Sequence, residues 1–350
     1  MDSASKRQAS SFFRFFVHSM SGRRLILKPG QVYGGFRVIS EYEPGGSSNA
    51  YKCYDMKNSR NVVLKALFKG EIYEKSGQEE IRAFKLFETN DFEIIIKLYG
   101  STMINGHFCL IYEQYGRNIY NLVEFFRPLL FRTSFIRSII KVVVNGCLIM
   151  KRVGIFHTDI KPENLLIDPM IDISENRNTF VGTEQDNQSV KMKIIDFTSY
   201  EESKYWFRHT SSTKLYRAPE IFLHSRWGQE ADIWSIGCLL IELILGKIPF
   251  YDHNPLLMVM KIQHMIGKFP EYLIDDSICV DLVKYYRSGF FDPGLLDDDD
   301  CQRVMSCPPL YSYSFSDDKA ADLVFKLLRI DPRDRLPLDQ ILEHDFFLQS

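Results

Sequence analysis

The sequence of 350 residues has no C-x-x-C pair, and its seven cysteines are scattered and odd in number. This pattern argues against a disulfide framework and a structural zinc site, so we expect a reduced, intracellular protein. No uninterrupted apolar run approaches the ~18 residues that span a membrane. The phenylalanine-rich N-terminus is split by Arg14 and lacks a cleavage-site pattern, which argues against a signal peptide.

Neither sign of charge dominates, because 43 Lys and Arg residues face 45 Asp and Glu residues and leave a net charge of −2. We therefore expect no direct binding of nucleic acid by the chain as a whole. The G-x-x-x-x-G-K-[ST] motif is missing, which excludes a P-loop NTPase. The composition is that of a globular protein, with 45% hydrophobic residues and a length that suggests two domains or lobes.

The hydrophobic pattern changes along the chain. Its first third predicts four strands and one helix: strands at 36–39, 50–54, 61–68 and 107–112, and a helix over 79–88. Further on, 134–152 and 231–245 are apolar almost all round, as buried helices are. Short strands are predicted at 165–167 and 193–195, separated by a polar loop insertion of about 168–190. The sequence thus predicts a strand-rich part followed by a helix-rich part.

Two segments have unbalanced charge. Residues 1–28 contain six Lys or Arg residues against one acidic residue, together with six serines. They are predicted to form a flexible basic arm, with a localisation or docking role as the alternative. Residues 271–318 contain eleven acidic against three basic residues, including the run Asp297–Asp300, and are predicted to be loop-like.

The strongest motif is the run His157–Asn164, which reads H-T-D-I-K-P-E-N and lies between a predicted buried helix and a short strand. It resembles the protein-kinase catalytic loop, H-R-D-x-K-x-x-N, with Thr158 in place of Arg. The resemblance implies that Asp159 accepts the proton of the substrate hydroxyl and that Lys161 lies near the transferred phosphate. Asn164 would then be a ligand of Mg²⁺.

A second kinase motif follows, in which Asp196-Phe197-Thr198 lies directly after a predicted strand and resembles D-F-G. The resemblance implies that Asp196 holds Mg²⁺ against the phosphates of ATP. Thr198 replaces the usual glycine and lacks its freedom in φ, so we expect this segment to resist flipping.

The activation segment has its own signature, because Thr213–Glu220 reads T-K-L-Y-R-A-P-E and resembles that of Ser/Thr kinases. The resemblance implies that Thr213 hydrogen-bonds to the catalytic loop and that Glu220 pairs with Arg335. Arg217 precedes the A-P-E triplet, and Asp232 would brace the catalytic loop from the start of a buried helix.

The strand-rich part resembles the nucleotide-binding half of a kinase. Val62–Lys65 reads V-V-L-K, so Lys65 would contact the α- and β-phosphates and pair with a helical Glu. We assign Glu80 as that partner and keep Glu79 as the alternative. The stretch 43–50 lies where G-x-G-x-x-G-x-V is expected, but only Gly45 falls on a motif glycine. With Gly46 and Ala50 it would cover the phosphates of ATP through backbone amides.

The resemblance therefore implies an α+β, bilobal protein-kinase fold. Its small β-rich N-lobe has one long helix, and its larger C-lobe is α-helical. The expected division is listed in order: basic arm 1–31, kinase domain 32–348, N-lobe 32–112, hinge 113–116, C-lobe 117–348, and an acidic insert at about 251–318. In the hinge, the backbone from Glu113 to Tyr115 would meet the adenine, and Tyr112 would be the gatekeeper.

Within the kinases the chain resembles the CMGC group and the LAMMER (CLK) family. Arg217 before A-P-E and the H-T-D-I-K-P-E-N run support this, although the family sextet is degraded to Val259–His264. The resemblance implies ATP and Mg²⁺ as cofactors and transfer to Ser or Thr, with Tyr left open. It implies Arg/Ser-rich protein substrates of RNA processing. It also implies a monomeric protein that does not bind membranes and is located in the nucleus or cytoplasm.

The sequence leaves three alternatives to a LAMMER-like protein kinase. A catalytically weak pseudokinase scaffold is motivated by the poor glycine loop and Thr198. A DYRK-like kinase belongs to the neighbouring family. The activation-loop tyrosine of that family would fall near Thr210, and the sequence has no tyrosine there. A kinase of small molecules is disfavoured by the intact Thr213 and A-P-E segment.

Overall fold

The computed structural model describes residues 24–42, 45–126, 131–168, 191–196, 201–202, 213–315 and 317–348. The first 23 residues, most of the predicted loop insertion, Phe197, Thr198 and Thr210 lie outside the described residues. The chain divides into two compact units. One comprises the chain up to Leu86 with Ile96–Gln114, and the other comprises Phe87–Ile95 with the chain from Tyr115 onward.

The first unit contains a six-stranded antiparallel sheet with the order β1-β2-β3-β4-β6-β5. The strands are β1 Val32–Tyr33, β2 Phe36–Glu41, β3 Ser48–Asp55, β4 Arg60–Leu67, β5 Leu98–Ile104 and β6 His107–Glu113. Alternate residues of β3, including Asn49, Tyr51 and Cys53, are buried on one face of the sheet. A strand with one covered face shows this period of two, which is why the pattern was visible in the sequence.

Helix α1 spans Glu71–Phe84 and follows β4 directly. It begins eight residues before the predicted start at 79, because its first two turns are mostly polar and show no apolar period. Gly77 allows the helix to pack closely, since a Cβ there would lie 2.7 Å from the side chains of Leu67 and Phe108. The missed turns therefore include a tight contact with the sheet.

Residues 24–28, part of the segment predicted to be a flexible arm, pack on the sheet. Leu25 and Leu27 are 4% and 2% exposed and join a core cluster with residues of β2, β3 and β4. Ile26 between them is exposed, so the segment alternates like an edge strand. The apolar Leu25 and Leu27 outweigh the local charge and fix this part of the arm.

The second unit is helical and carries three small two-stranded sheets within the described residues. Its longer helices are α2 Ile119–Phe126, α3 Thr133–Val153, α5 Glu230–Leu245, α6 Pro255–Ile266, α9 Asp298–Met305 and α10 Asp318–Leu327. The shorter elements are β7 Ile155–Phe156, β8 Leu165–Ile167, β9 Met192–Ile194, β10 Glu201–Glu202, α4 Pro219–Phe222, α7 Glu271–Asp275, α8 Val280–Val283, β11 Tyr286–Arg287 and β12 Phe290–Phe291. Helix α5 is buried along almost its whole length and forms the centre of this unit.

The segment 271–318 is not the loop that its composition predicted. It contains three helices, α7, α8 and α9, and the hairpin of β11 and β12. These elements are too short to show a clear apolar period. Single buried residues such as Leu282 and Val304 anchor them.

Helix α3 is long and apolar enough, by length and composition, to cross a membrane. Arg137 and Lys141 interrupt its apolar residues, so the sequence has no uninterrupted apolar run there that would predict a membrane span. Half of its apolar window is buried inside the protein, and core helices of soluble proteins pass the same test, so this is weak evidence.

Candidate active site

The carboxylate of Asp159 lies at the centre of a group of donors in the second unit. Its Oδ2 is 2.6 Å from Lys161 Nζ, and its Oδ1 accepts the backbone N–H of Thr213 at 2.9 Å. Lys161 Nζ also donates to Thr213 Oγ1 at 2.8 Å. Each carboxylate oxygen can accept more than one hydrogen bond, so Asp159 retains capacity for a substrate hydroxyl. The residues predicted for the catalytic loop and for its contact with Thr213 are thus brought together.

Asn164 closes the loop on the same carboxylate. Its Nδ2 donates to the backbone oxygen of Asp159 at 2.8 Å and to Oδ2 at 3.2 Å. The amide nitrogen is therefore committed to the loop, which leaves the amide oxygen as the group available to a cation. Asn164 is buried and is the last residue of the 3-10 turn that leads into β8, so its position is well fixed.

His157 links this loop to the strand before Asp196. Its Nδ1 accepts the N–H of Asp159 at 3.2 Å, so the ring carries its proton on Nε2, which donates to the backbone oxygen of Ile195 at 3.1 Å. The imidazole thus ties the two predicted magnesium-binding segments together inside one unit. Sequence reasoning assigned it no role beyond the motif.

Asp232, at the start of α5, holds the other side of the loop. Its two carboxylate oxygens accept the backbone N–H groups of His157 at 2.9 Å and Thr158 at 2.8 Å. Burial raises the pKa of Asp232, while the two backbone N–H bonds favour the ionised form. The bracing that the sequence predicted for Asp232 is therefore made through the backbone.

Two residues of this region have left-handed backbones without being glycine. Thr158 has φ of 67° and Asp196 has φ of 72°. Non-glycine residues with such angles persist where the surroundings over-determine them, and they cluster at functional sites. The strain here is concentrated beside Asp159 and on Asp196 itself.

The end of the activation segment is held by a buried ion pair. Arg335 Nη1 and Nη2 lie 2.6 Å and 2.7 Å from the two oxygens of Glu220, and both side chains are fully buried. Arg335 also donates to the backbone oxygen of Glu230 at 2.7 Å.

Arg217, which precedes the A-P-E triplet, lies 5.3 Å from the Phe222 ring. Burial lowers the pKa of Arg217, while the negative charge of Asp159 raises it.

The first unit contributes a separate cluster. Lys65 Nζ lies 3.1 Å from Glu80 Oε2, and the hydroxyl of Tyr112 donates to Glu80 Oε1 at 2.6 Å. Glu80 is fully buried, whereas the neighbouring Glu79 is partly exposed and makes no such pair within the described residues. Lys65 therefore pairs with Glu80, and Tyr112 has a second role that its assignment as gatekeeper did not include.

The remaining predicted nucleotide contacts lie as follows. Gly45 and Gly46 are exposed in the turn before β3, where Gly45 N–H donates to the backbone oxygen of Ser48 at 3.1 Å. Ala50 is directly opposite Lys65 on the neighbouring strand. Glu113 Oε1 accepts the N–H of Lys97, and the ring of Tyr115 lies 5.3 Å from Lys193 Nζ.

The chemistry of Asn164 and Asp196 fits a magnesium ion. An amide oxygen and a carboxylate are the hard oxygen ligands that Mg²⁺ prefers, and the ion usually completes its shell with waters and substrate phosphates. No group of three or more His, Cys, Asp or Glu side chains able to hold a metal occurs within the described residues. Two ligands are what a phosphate-bridging Mg²⁺ requires of the protein.

A model of the protein kinase domain matches residues 38–347 of this chain, which is most of its length. The chain belongs to the protein kinase family. It is an enzyme of this class, and the match covers both units, including the Lys65 cluster and the Asp159 loop. The kinase assignment made from the motifs is therefore confirmed.

Two similar proteins indicate which group of protein kinases the chain resembles. Dual specificity protein kinase CLK1 of Mus musculus is 28% identical over 341 residues, which cover 92% of this chain and 68% of the relative. Serine/threonine-protein kinase AFC1 of Arabidopsis thaliana is 27% identical over 337 residues, which cover 90% of this chain and 71% of the relative. The predicted resemblance to LAMMER-like kinases of the CMGC group is confirmed.

A crystal structure of a kinase domain supports the fold. It superposes with a TM-score of 0.81 at 23% sequence identity and covers 93% of this chain and 99% of that domain. The predicted α+β, bilobal kinase fold is confirmed, with a β-sheet unit that carries one long helix and a larger helical unit.

Proposed function

We propose that this kinase transfers the γ-phosphoryl group of ATP to Ser or Thr hydroxyls of basic, Arg/Ser-rich proteins of RNA processing. The observation that carries the proposal is the donor set around Asp159. A carboxylate that is oriented by Lys161, Asn164 and the N–H of Thr213 is suited to orient a hydroxyl and accept its proton.

The roles of the remaining residues follow from phosphoryl-transfer chemistry. Lys161 and Lys65 supply positive charge toward the phosphates, and Glu80 orients Lys65. Asn164 and Asp196 would hold Mg²⁺, which would supply positive charge to the phosphate oxygens. Gly45, Gly46 and Ala50 form the phosphate-covering loop, and the backbone from Glu113 to Tyr115 meets the adenine.

The proposed Arg/Ser-rich substrate class is inferred from the negative charge of the segment 271–318. Asp298 and Asp299 in the first turn of α9 are exposed, and the segment 271–318 carries a large acidic excess. An acidic surface on the substrate-binding unit attracts Arg-rich segments and raises their encounter rate. The name of CLK1 as a dual specificity kinase supports tyrosine as an additional acceptor. We further propose that the chain acts as a monomer in the nucleus or cytoplasm, away from membranes.

The decisive experiment separates chemistry from nucleotide binding. Asp159→Asn is expected to reduce kcat by about 10²- to 10⁴-fold on a Ser peptide, because it removes the proton acceptor. Binding of Mg-ATP, measured by calorimetry, should remain within about twofold of the wild type. Asp281→Asn, at a carboxylate that is 93% exposed, is the control and should leave both quantities unchanged.

Two results would overturn the proposal. Wild-type turnover in Asp159→Asn would exclude the assigned mechanism. A wild-type chain that binds nucleotide but transfers no phosphate to any peptide would favour the pseudokinase scaffold, which the poorly matched glycine loop motivates.

A further inference from the structure

A clamp joins the N-terminal strap, defined as Arg24–Lys28, to the base of the phosphate-covering loop. The hydroxyl of Tyr51 donates to the backbone oxygen of Leu25 at 2.6 Å, and Asn49 Nδ2 lies 3.2 Å from the same oxygen. The Tyr51 oxygen also accepts the N–H of Leu27 at 3.4 Å. Burial raises the pKa of Tyr51, so its hydroxyl keeps the proton that it donates.

The same clamp connects the two strands on either side of the loop. Asn49 Nδ2 lies 3.3 Å from Glu41 Oε1, at the last residue of β2, and Asn49 is the second residue of β3. The loop 42–47 is the connection between those strands. The backbone already joins the two ends, since Tyr42 N–H donates to the oxygen of Ala50 at 2.9 Å, and Asn49 adds a side-chain tie that also includes the strap.

Neither Asn49 nor Tyr51 can contact a nucleotide that lies beside Ala50. Successive side chains of a strand point to opposite faces, so Ala50 and Lys65 share one face while Asn49 and Tyr51 lie on the other. The clamp acts through the backbone of β3. Its members are thus positioning residues, and the nucleotide contacts belong to the opposite face.

A second path leads from the strap to the same loop. The Arg24 guanidinium lies 5.2 Å from the ring of Phe68, whose backbone N–H donates to the oxygen of Ser47 at 3.0 Å. Phe68 also packs edge-on against Tyr73 in the first turn of α1, with ring centroids 5.6 Å apart. The strap therefore reaches both the end of the loop and the helix that carries Glu80.

The buried side chain of Asn49 is polar at a position where packing alone would favour an apolar residue. The residue is 3% exposed, and its Oδ1 is buried without a hydrogen-bond partner in the part of the chain that the structure describes. An unsatisfied buried acceptor is destabilising, so an apolar residue would serve packing better. The polar side chain is explained by the donor contacts that its Nδ2 makes to the strap and to Glu41.

We propose that Asn49 and Tyr51 are positioning residues for nucleotide binding, which make the strap Arg24–Lys28 an integral part of the nucleotide site. The inference rests on the proposed function, since it concerns the loop that covers the phosphates of ATP. In a loop with a single motif glycine, the clamp supplies the preorganisation of the backbone amides. Release of the strap weakens nucleotide binding without altering the phosphoryl-transfer residues.

The test uses the full chain and measures binding directly. The Kd of a magnesium-bound non-hydrolysable ATP analogue is determined by calorimetry for the wild type, Tyr51→Phe and Asn49→Ala. Both variants should raise Kd and the KM for ATP about three- to tenfold, the range that one net hydrogen bond spans, and change kcat less than twofold. Hydrogen exchange of the amides in 42–50 should become faster.

A matched control removes a hydroxyl that contacts the strap at its far end, away from the loop. The hydroxyl of Tyr33 accepts the N–H of Lys28 at 3.4 Å, so Tyr33→Phe should leave the Kd and the exchange in 42–50 unchanged. A lowered melting temperature in Tyr51→Phe and Asn49→Ala with an unchanged Kd would overturn the inference alone, because it would indicate a purely structural clamp. A wild-type chain that binds no nucleotide would refute the proposed function and this inference together.

Discussion

The backbone N–H of Thr158 donates to Asp232 Oδ1 at 2.8 Å, and Thr158 itself has φ of 67°. The left-handed region costs a β-branched residue about 1–3 kcal/mol, and the conformation persists only where the surroundings impose it. Asp232 supplies that restraint, because its second oxygen binds the N–H of His157 at 2.9 Å. The start of α5 thus determines the backbone path into Asp159.

Asp232→Asn should shift the backbone of His157 and Thr158, which leads into Asp159. An amide offers only one acceptor oxygen, so its NH₂ group would face one of the two backbone N–H donors. We expect kcat to fall at least tenfold and stability to fall by about 1–3 kcal/mol. Steady-state kinetics and thermal unfolding measure the two effects. Glu230→Gln, an exposed carboxylate in the first turn of the same helix, is the control. Unchanged kcat in Asp232→Asn would show that the restraint is dispensable.

Breaking the ion pair of Glu220 and Arg335 from one side should strongly destabilise the second unit. Both side chains are fully buried, so Glu220→Gln leaves an uncompensated guanidinium in the interior. We expect a loss of about 3–5 kcal/mol, measured by chemical or thermal denaturation. Asp281→Asn, which breaks an exposed pair with Lys284, should change stability by less than about 1 kcal/mol. Equal losses in the two variants would contradict the burial argument.

Local patterns predicted the elements that have one clear period. The strands around 36–39, 61–68 and 107–112 lie close to their predicted places because each keeps its apolar period over its length. The buried helix 231–245 was found for a different reason, because it is apolar almost all round. The first turns of α1 were missed since they are mostly polar and exposed.

Long-range contacts outside the kinase motifs had no signal in the sequence. Tyr51 reaches Leu25 across 26 residues, and nothing near Tyr51 distinguishes it from an ordinary strand tyrosine. The hydrogen bond of Tyr112 to Glu80 is of the same kind, and its partners are 32 positions apart in the chain. The kinase motifs predicted the residues of the site and several of their pairs, such as Glu220 with Arg335, through resemblance. The contacts of Tyr51 and Tyr112 lie outside those motifs and required the fold.

Asp331 should make stability depend on pH in the acidic range. Burial alone would raise its pKa, but hydrogen bonds from Arg333 and Tyr272 outweigh it and lower the pKa from 3.8 to about 2. A depressed pKa stabilises the fold above the unfolded value, and this contribution is lost as the pH falls from about 4 toward about 2. Melting temperatures across this range should decline less steeply in Asp331→Asn.

The control for this pH effect is a neighbouring carboxylate. Asp334 is exposed, so Asp334→Asn should keep the wild-type slope of melting temperature against pH. A slope in Asp331→Asn that equals the wild-type slope would show that other groups dominate acid unfolding.

The acidic run Asp297–Asp300 combines two roles that a substitution test must separate. Asp297 Oδ1 accepts the N–H of Asp300 and caps α9, and Asp300 pairs with Arg303 at 2.6 Å. Replacing all four residues would therefore also weaken the helix. Asp298 and Asp299 are exposed in the first turn, so the double variant Asp298→Asn with Asp299→Asn removes charge with little structural effect.

This double variant should raise the KM for an Arg-rich Ser peptide several-fold at low salt and leave kcat nearly unchanged, because distant charges act on encounter and binding. The difference from wild type should shrink as the ionic strength rises toward 1 M, where the screening length falls to about 3 Å. A double control at exposed carboxylates elsewhere, Asp339→Asn with Asp345→Asn, removes the same charge from a different surface. If both double variants raise KM equally, net charge explains the effect. If neither does, the acidic segment is a solvated surface and the Arg-rich substrate class is wrong.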